Sequence, residues 1–262
     1  MTSILFGLAT AVFFASGGLM SSRAVKVIGP WSPVAWTMVV GMVVTLPFLV
    51  LAGIPDALAA DSPFLLAAGL GNVGGLVLTG FAFRVGKVGV VTPIVACEGA
   101  ISAVLAAMTG QSIAPVVALF LVVVVGGIVI AGIAPDPAPL DHERPALAVI
   151  LATGGAICFG VSLFCAGFVS GDLPIAWVLL PARLVGVLFL AIPLAAARNL
   201  RLTRGTLPLV IGMGFSEVIG FTCFTLGAQY NIAVTSVLAS QFAPIAAVMA
   251  YVLFREIGRA HV

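Results

Sequence analysis

Very few side chains in this sequence could do chemistry, and the most informative are charged groups inside long apolar runs. Glu98 sits in the middle of VGVVTPIVACEGAISAVLAAM, residues 88–108. Glu217, in GMGFSEVIGFTCF, is the only other acid at mid-run, and Arg183, in WVLLPARLVGV, is the only base so placed. Twenty helical residues rise about 30 Å, the thickness of a bilayer's hydrocarbon core, so a charge at the centre of such a run lies near mid-depth. There it costs at least about 2.5–3.5 kcal/mol, and it persists where it faces a partner, a cavity or a pathway. For Glu98 the chemistry would be uptake and release of a proton or cation, set against the plain alternative of an acid hydrogen-bonded to Ser102 or to a backbone carbonyl. Arg183 and Glu217 lie on consecutive runs and are expected to pair, which lowers the cost of both. The sharper expectation for Arg183 is that it holds an anionic group of a substrate.

Weaker candidates surround these. Asn72 lies in GLGNVGG, where the Gly71-x-x-x-Gly75 spacing favours close helix packing over ligand binding. Thr92 and Thr235 each follow a helix start, and threonine hydroxyls in membrane helices commonly bond their own backbone. Gln241 is a polar residue in the last apolar run. Pro93 and Pro244 are expected to loosen the helices that carry Glu98 and Gln241. Trp31, Trp36, Trp177, Tyr230 and Tyr251 fall near run ends, as interfacial anchors do. His142 has acids on either side but no second His or Cys, so no metal site is expected. Cys97, Cys158, Cys165 and Cys223 lie in apolar runs without CxxC spacing and read as small buried residues. No catalytic motif and no cofactor signature is present.

The elements that must position these groups follow from composition. The chain is 62% hydrophobic and only 8% charged, whereas soluble domains carry about 25% charged residues. Its 30 glycines and 16 prolines suit membrane helices. The reading is an all-α polytopic membrane protein whose partner is the lipid bilayer. A formal charge of +2, dispersed along the chain, gives no reason to expect nucleic acid. Nine spans can be counted, at residues 4–22, 33–53, 63–83, 88–108, 113–133, 146–168, 174–196, 206–228 and 231–254.

The spans repeat. Pro33-Val-Ala-Trp36 recurs as Pro174-Ile-Ala-Trp177, 141 residues on. At an offset of 143, Gly69 and Gly71 match Gly212 and Gly214, Val91-Thr92 matches Val234-Thr235, and Glu98 falls opposite Gln241. The expected organisation is a first five-helix repeat at 1–134, a proline-rich linker at 135–145 and a second, incomplete repeat at 146–256. Residues 257–262 read as a non-native tail where a tenth helix would begin. A five-span repeat returns in the opposite orientation. Such an inverted repeat is typical of secondary transporters, whose site lies near mid-membrane where the halves meet.

The motifs Gly86-Lys-Val-Gly-Val-Val-Thr-Pro-Ile94, Thr109-Gly-Gln-Ser-Ile-Ala-Pro115, VVVVGGIVIAG and Ser240-Gln-Phe-Ala-Pro-Ile245 running to Phe254-Arg-Glu256 resemble the drug/metabolite transporter superfamily, specifically its ten-helix EamA-type members. Those members usually carry Gly-Glu where each copy leaves its fourth helix. Here the two copies have Gly110-Gln111 and Arg255-Glu256. The resemblance implies a multi-pass protein of the inner (plasma) membrane, monomer or homodimer, that moves a small-molecule metabolite such as an amino acid by alternating access. Efflux and coupling to protons complete the expectation, with Glu98, Gln241, Glu217, Arg183, Asn72, Thr92 and Thr235 as the candidate pathway. The competing classes are an integral membrane enzyme acting on lipid and a non-transporting accessory subunit. The enzyme would need a cluster of acids or metal ligands at one interface, whereas the seven remaining acids are scattered through loops and tail. Lys and Arg fall in the loops after odd-numbered spans, which by the positive-inside rule places the N-terminus outside, and the resemblance implies the reverse.

Overall fold

The computed structural model describes residues 1–111 and 144–254, with the single positions 119, 122 and 126. The expected fifth span, nearly all of the linker and the tail at 257–262 lie outside the described residues. The described chain is helical throughout: α1 Thr2–Ile28, α2 Trp31–Ala52, α3 Leu58–Val85, α4 Val88–Val95, α5 Glu98–Met108, α6 Pro145–Phe168, α7 Ile175–Ala196, α8 Leu207–Ala228, α9 Ile232–Ala239 and α10 Phe242–Phe254. Seven helices, α4 and α5 counted together, are long and apolar enough to cross a membrane. This is a multi-pass membrane protein.

The distribution of side-chain size follows from the solvent. Lipid is as apolar as leucine, so burying large hydrophobic groups between helices gains little, and close backbone approach through small residues gains more. Accordingly, Ala11, Ala15, Ala35, Ala103, Ala106 and Ala152 are fully buried, while Phe48, Leu51, Ile150, Phe189 and Val252 face outward. The expected packing role of the Gly71/Gly75 spacing holds. A Cβ on Gly71 would come 2.6 Å from the Cys158 carbonyl oxygen, and one on Gly75 would meet the Phe159 ring, so both glycines bring α3 against α6.

α1 packs on α8, α9 and α10, whereas α6 packs on α3, α4 and α5. α2 lies against α7 and α8, and α7 against α2 and α3. The tryptophans expected as interfacial anchors tie this frame together. Trp36, at the start of α2, donates its indole N–H to the Arg201 carbonyl beyond the end of α7 (3.1 Å), and Trp177, at the start of α7, donates to the Gly53 carbonyl just past α2 (2.7 Å). The two helices therefore run antiparallel, each end closed by the other's indole. Ser32 adds to one end, accepting from the Arg201 N–H and donating to the Asn199 carbonyl.

Helix α7 contains a π-turn at Val187–Ala191. There Ile192 N–H bonds to the Val187 carbonyl, five residues back, just before Pro193, which has no N–H to give the helix.

Gly71→Ala should lower detergent-solubilised stability by about 1–3 kcal/mol, because the added methyl meets backbone that cannot rotate away. Gly18→Ala, where nothing lies within 4 Å, should leave the melting temperature unchanged. Thermal unfolding of the two variants side by side checks this.

Candidate functional site

The helices carrying Glu98 and Gln241 are both broken at mid-span, and in the same way. In the first, Ala96 N–H bonds to the Thr92 carbonyl, Cys97 N–H tightens onto Ile94, and Ile101 N–H resumes on Cys97. In the second, Ser240 bonds to Ser236, Gln241 tightens onto Leu238, and Ile245 resumes on Gln241. The shift from a four-residue to a three-residue bond deprives one carbonyl of its usual donor, Pro93 in the first helix and Val237 in the second. Val237 is re-satisfied by Ser240 Oγ (2.8 Å) and Gln241 Nε2 (3.2 Å). Ala96 and Cys97, at the corresponding places, have no comparable donor.

These boundaries repeat at an offset of 144 rather than the 143 read from sequence. In that register Cys97 matches Gln241 and Glu98 matches Phe242. The expected equivalence of Glu98 and Gln241 is therefore displaced by one residue, because the break sets the register and the apolar flanks do not. The prolines are not equivalent either. Pro93 is inside α4, before its break, while Pro244 sits in the first turn of α10, after its break, where a missing N–H is harmless.

Glu98 opens α5 and is 6% exposed. Its carboxylate makes no hydrogen bond or ion pair among the described residues. The turn that carries it is clamped from two sides. Gly99 allows close approach to α9, where a Cβ would come 2.5 Å from the Ser236 carbonyl oxygen and 2.6 Å from Ser240 Oγ. Gly160 of α6 admits Ile101 and the Glu98 carbonyl. Ser102, the expected bland partner of Glu98, is instead bonded to Ser236 across the α5–α9 contact (Oγ to Oγ 2.8 Å).

Arg183 and Glu217 meet as expected, with Nη2 to Oε2 at 3.4 Å. Arg183 is fully buried, and its guanidinium lies over the Phe221 ring, 5.2 Å from the centroid. Gly41 of α2 gives it room, since a Cβ there would stand 3.3 Å from Nε. Nε, Nη1 and Nη2 of Arg183 and Oε2 of Glu217 are all sealed from solvent with no hydrogen bond. Phe221 was legible as the residue four after Glu217 and on the same helix face; Gly41 gave no such signal.

The other candidates divide. Asn72 is buried on α3 and its Oδ1 has no partner; one turn earlier Gly69 packs on Pro181 of α7, two residues before Arg183. Thr235 is buried and spends its hydroxyl on the Asn231 carbonyl (2.8 Å), the plain backbone role. Thr92 is partly exposed and makes no such bond among the described residues. No group of three metal-ligating side chains occurs among the described residues. Gln111 was missed as a structural element: its Oε1 accepts the Ile232 N–H (3.1 Å) while Asn231 Oδ1 accepts that of Val234 (2.9 Å), so α9 is capped from both halves of the chain. The signal was its motif position beside a turn glycine, Gly110, whose φ is +93°.

The model of the EamA-like transporter family matches residues 1–133, half of the chain. The chain belongs to that family. A crystal structure of another protein, 15% identical, superposes with a TM-score of 0.78 over 98% of this chain and 90% of the other, so the fold is shared. No curated protein matches.

Removing the cap with Gln111→Ala should destabilise the protein by about 0.5–2 kcal/mol, whereas Gln111→Glu, the residue EamA-type members usually carry here, should hold or raise stability because a carboxylate suits a helix N-terminus. Chemical denaturation in detergent, comparing midpoints, distinguishes the two.

Proposed function

We propose that this protein is a secondary transporter of the plasma membrane that moves a small metabolite, of the amino acid class or close to it, by alternating access between two inverted five-helix repeats. The observation that carries the reading is the pair of identically broken helices, α4–α5 and α9–α10, which touch at Gly99 and Ser240. Interrupted helices at mid-membrane free backbone groups for a substrate or ion, and they recur where transporter halves meet.

Three further features support the repeat. The partners of α1 (α8, α9, α10) and of α6 (α3, α4, α5) exchange when each element is replaced by the one five places on. Trp36 and Trp177 make the same bond in opposite senses. The family match ends at residue 133, beside the boundary expected at 134. Glu98 is assigned the coupling role, since it is an acid at the break of its own helix, without a hydrogen-bond partner among the described residues, where binding and release of a proton would be felt by both halves. Gln241, Asn72 and Thr92 line the same level of the pathway in this reading.

The test is expression in a bacterial host beside Glu98→Gln at matched membrane levels, with metabolites inside and outside profiled by mass spectrometry. One compound class should shift across the membrane with the parent, its direction showing import or export, and the shift should fall by at least about tenfold in the variant. Folded, inserted protein that moves nothing would contradict the proposal.

A further inference from the structure

Arg183 is in an unusual state for a buried arginine. Its guanidinium offers five N–H donors in a planar fork that matches a carboxylate two bonds at a time, and a structural Arg–carboxylate pair is normally drawn to about 2.7–2.9 Å with hydrogen bonds formed. Here Glu217 stands at 3.4 Å, and none of Nε, Nη1 or Nη2 is hydrogen-bonded. The Phe221 ring covers one face, so an incoming group must approach in the plane of the fork, where carboxylate oxygens bind. Gly41 lets α2 close on the guanidinium, since a Cβ there would stand 3.3 Å from Nε and 3.4 Å from Cγ. Donors sealed away from water without acceptors are unfavourable, and a ligand that supplied oxygens would relieve them.

We infer that Arg183 is the recognition residue for the anionic group of the transported molecule, and that this group is the carboxylate of a small organic monocarboxylate. The inference rests on the transport reading above for its context. Glu217 is a positioning residue: it holds the guanidinium aimed while the site is empty and gives way when the ligand carboxylate arrives. A single negative charge is favoured over a phosphate because Arg183 is the only base at the middle of a described helix, the others lying at helix ends or in loops. A phosphate, with about 1.5–2 charges, would sit beside Glu217 largely unbalanced.

Binding to purified, detergent-solubilised protein tests this without requiring flux. The probes are sodium salts of acetate, propionate, benzoate and phenylacetate against the matched uncharged amides, with phosphate and chloride at equal ionic strength. Saturable binding of at least one carboxylate, and not of its amide or of phosphate, is expected. Arg183→Met alone risks an unpaired buried Glu217, so the decisive variant is Arg183→Met with Glu217→Met, which removes both charges and should fold. It should weaken binding by about tenfold to a hundredfold, whereas Glu217→Gln should bind as tightly as the parent or more tightly, the competing carboxylate having gone. Failure of every carboxylate to bind the parent, undiminished binding to the double variant, or equal binding of amides would overturn the inference. Carboxylate binding without flux would count against the transport reading alone.

Discussion

Hydrocarbon offers no water to a backbone N–H or C=O, so every break in a membrane helix needs a local substitute. That constraint orders this protein. Where α9 gives way to α10, the freed Val237 carbonyl is taken by Ser240 and Gln241, and where α9 begins, Asn231 and Gln111 cover its first amides. Where α4 gives way to α5, the corresponding positions are Ala96 and Cys97, and the acid Glu98 follows directly. The two breaks are alike in backbone and unlike in side chains. Two breaks of one backbone form thereby differ in chemistry.

The ion pair answers the same constraint with side chains, Arg183 on α7 and Glu217 on α8. Pairing offsets part of the penalty of two mid-span charges, and contact with Phe221 contributes further through the ring's negative face. The hydrogen bonds left unmade keep the pair from being fully settled. A site for a charged solute benefits from that, because an arginine already satisfied would have to lose bonds in order to bind.

Much of this was legible in the sequence, for reasons that can be stated. Span positions follow from hydropathy, and the predicted ends at 168, 196 and 228 coincide with helix ends. The Arg183–Glu217 pair followed because a membrane forces two lone mid-span charges together. Pro93 and Pro244 pointed to loosening in these two helices but not to its exact place, since a shift of one hydrogen bond changes no hydropathy: Pro93 precedes its break and Pro244 follows its own. Register was off by one because apolar flanks align equally well at 143 or 144. Ser102 entered as one of two plain partners for Glu98, with a backbone carbonyl, because only intrahelical neighbours can be read from spacing; its partner, Ser236, is 134 residues away. Trp36 and Trp177 stand at helix ends as interfacial anchors do, while their acceptors are loop carbonyls that a sequence does not place.

The central claim is that the level of the two breaks is reached from each side of the membrane in turn. It is tested most directly by replacing the four cysteines with alanine, introducing Gln241→Cys and exposing right-side-out and inside-out vesicles to a membrane-impermeant maleimide. Gln241 lies at the second break and is partly exposed. Modification from both faces is the predicted result, despite a position near the centre of the bilayer. Modification from one face only, or from neither while the protein remains folded, would contradict the account.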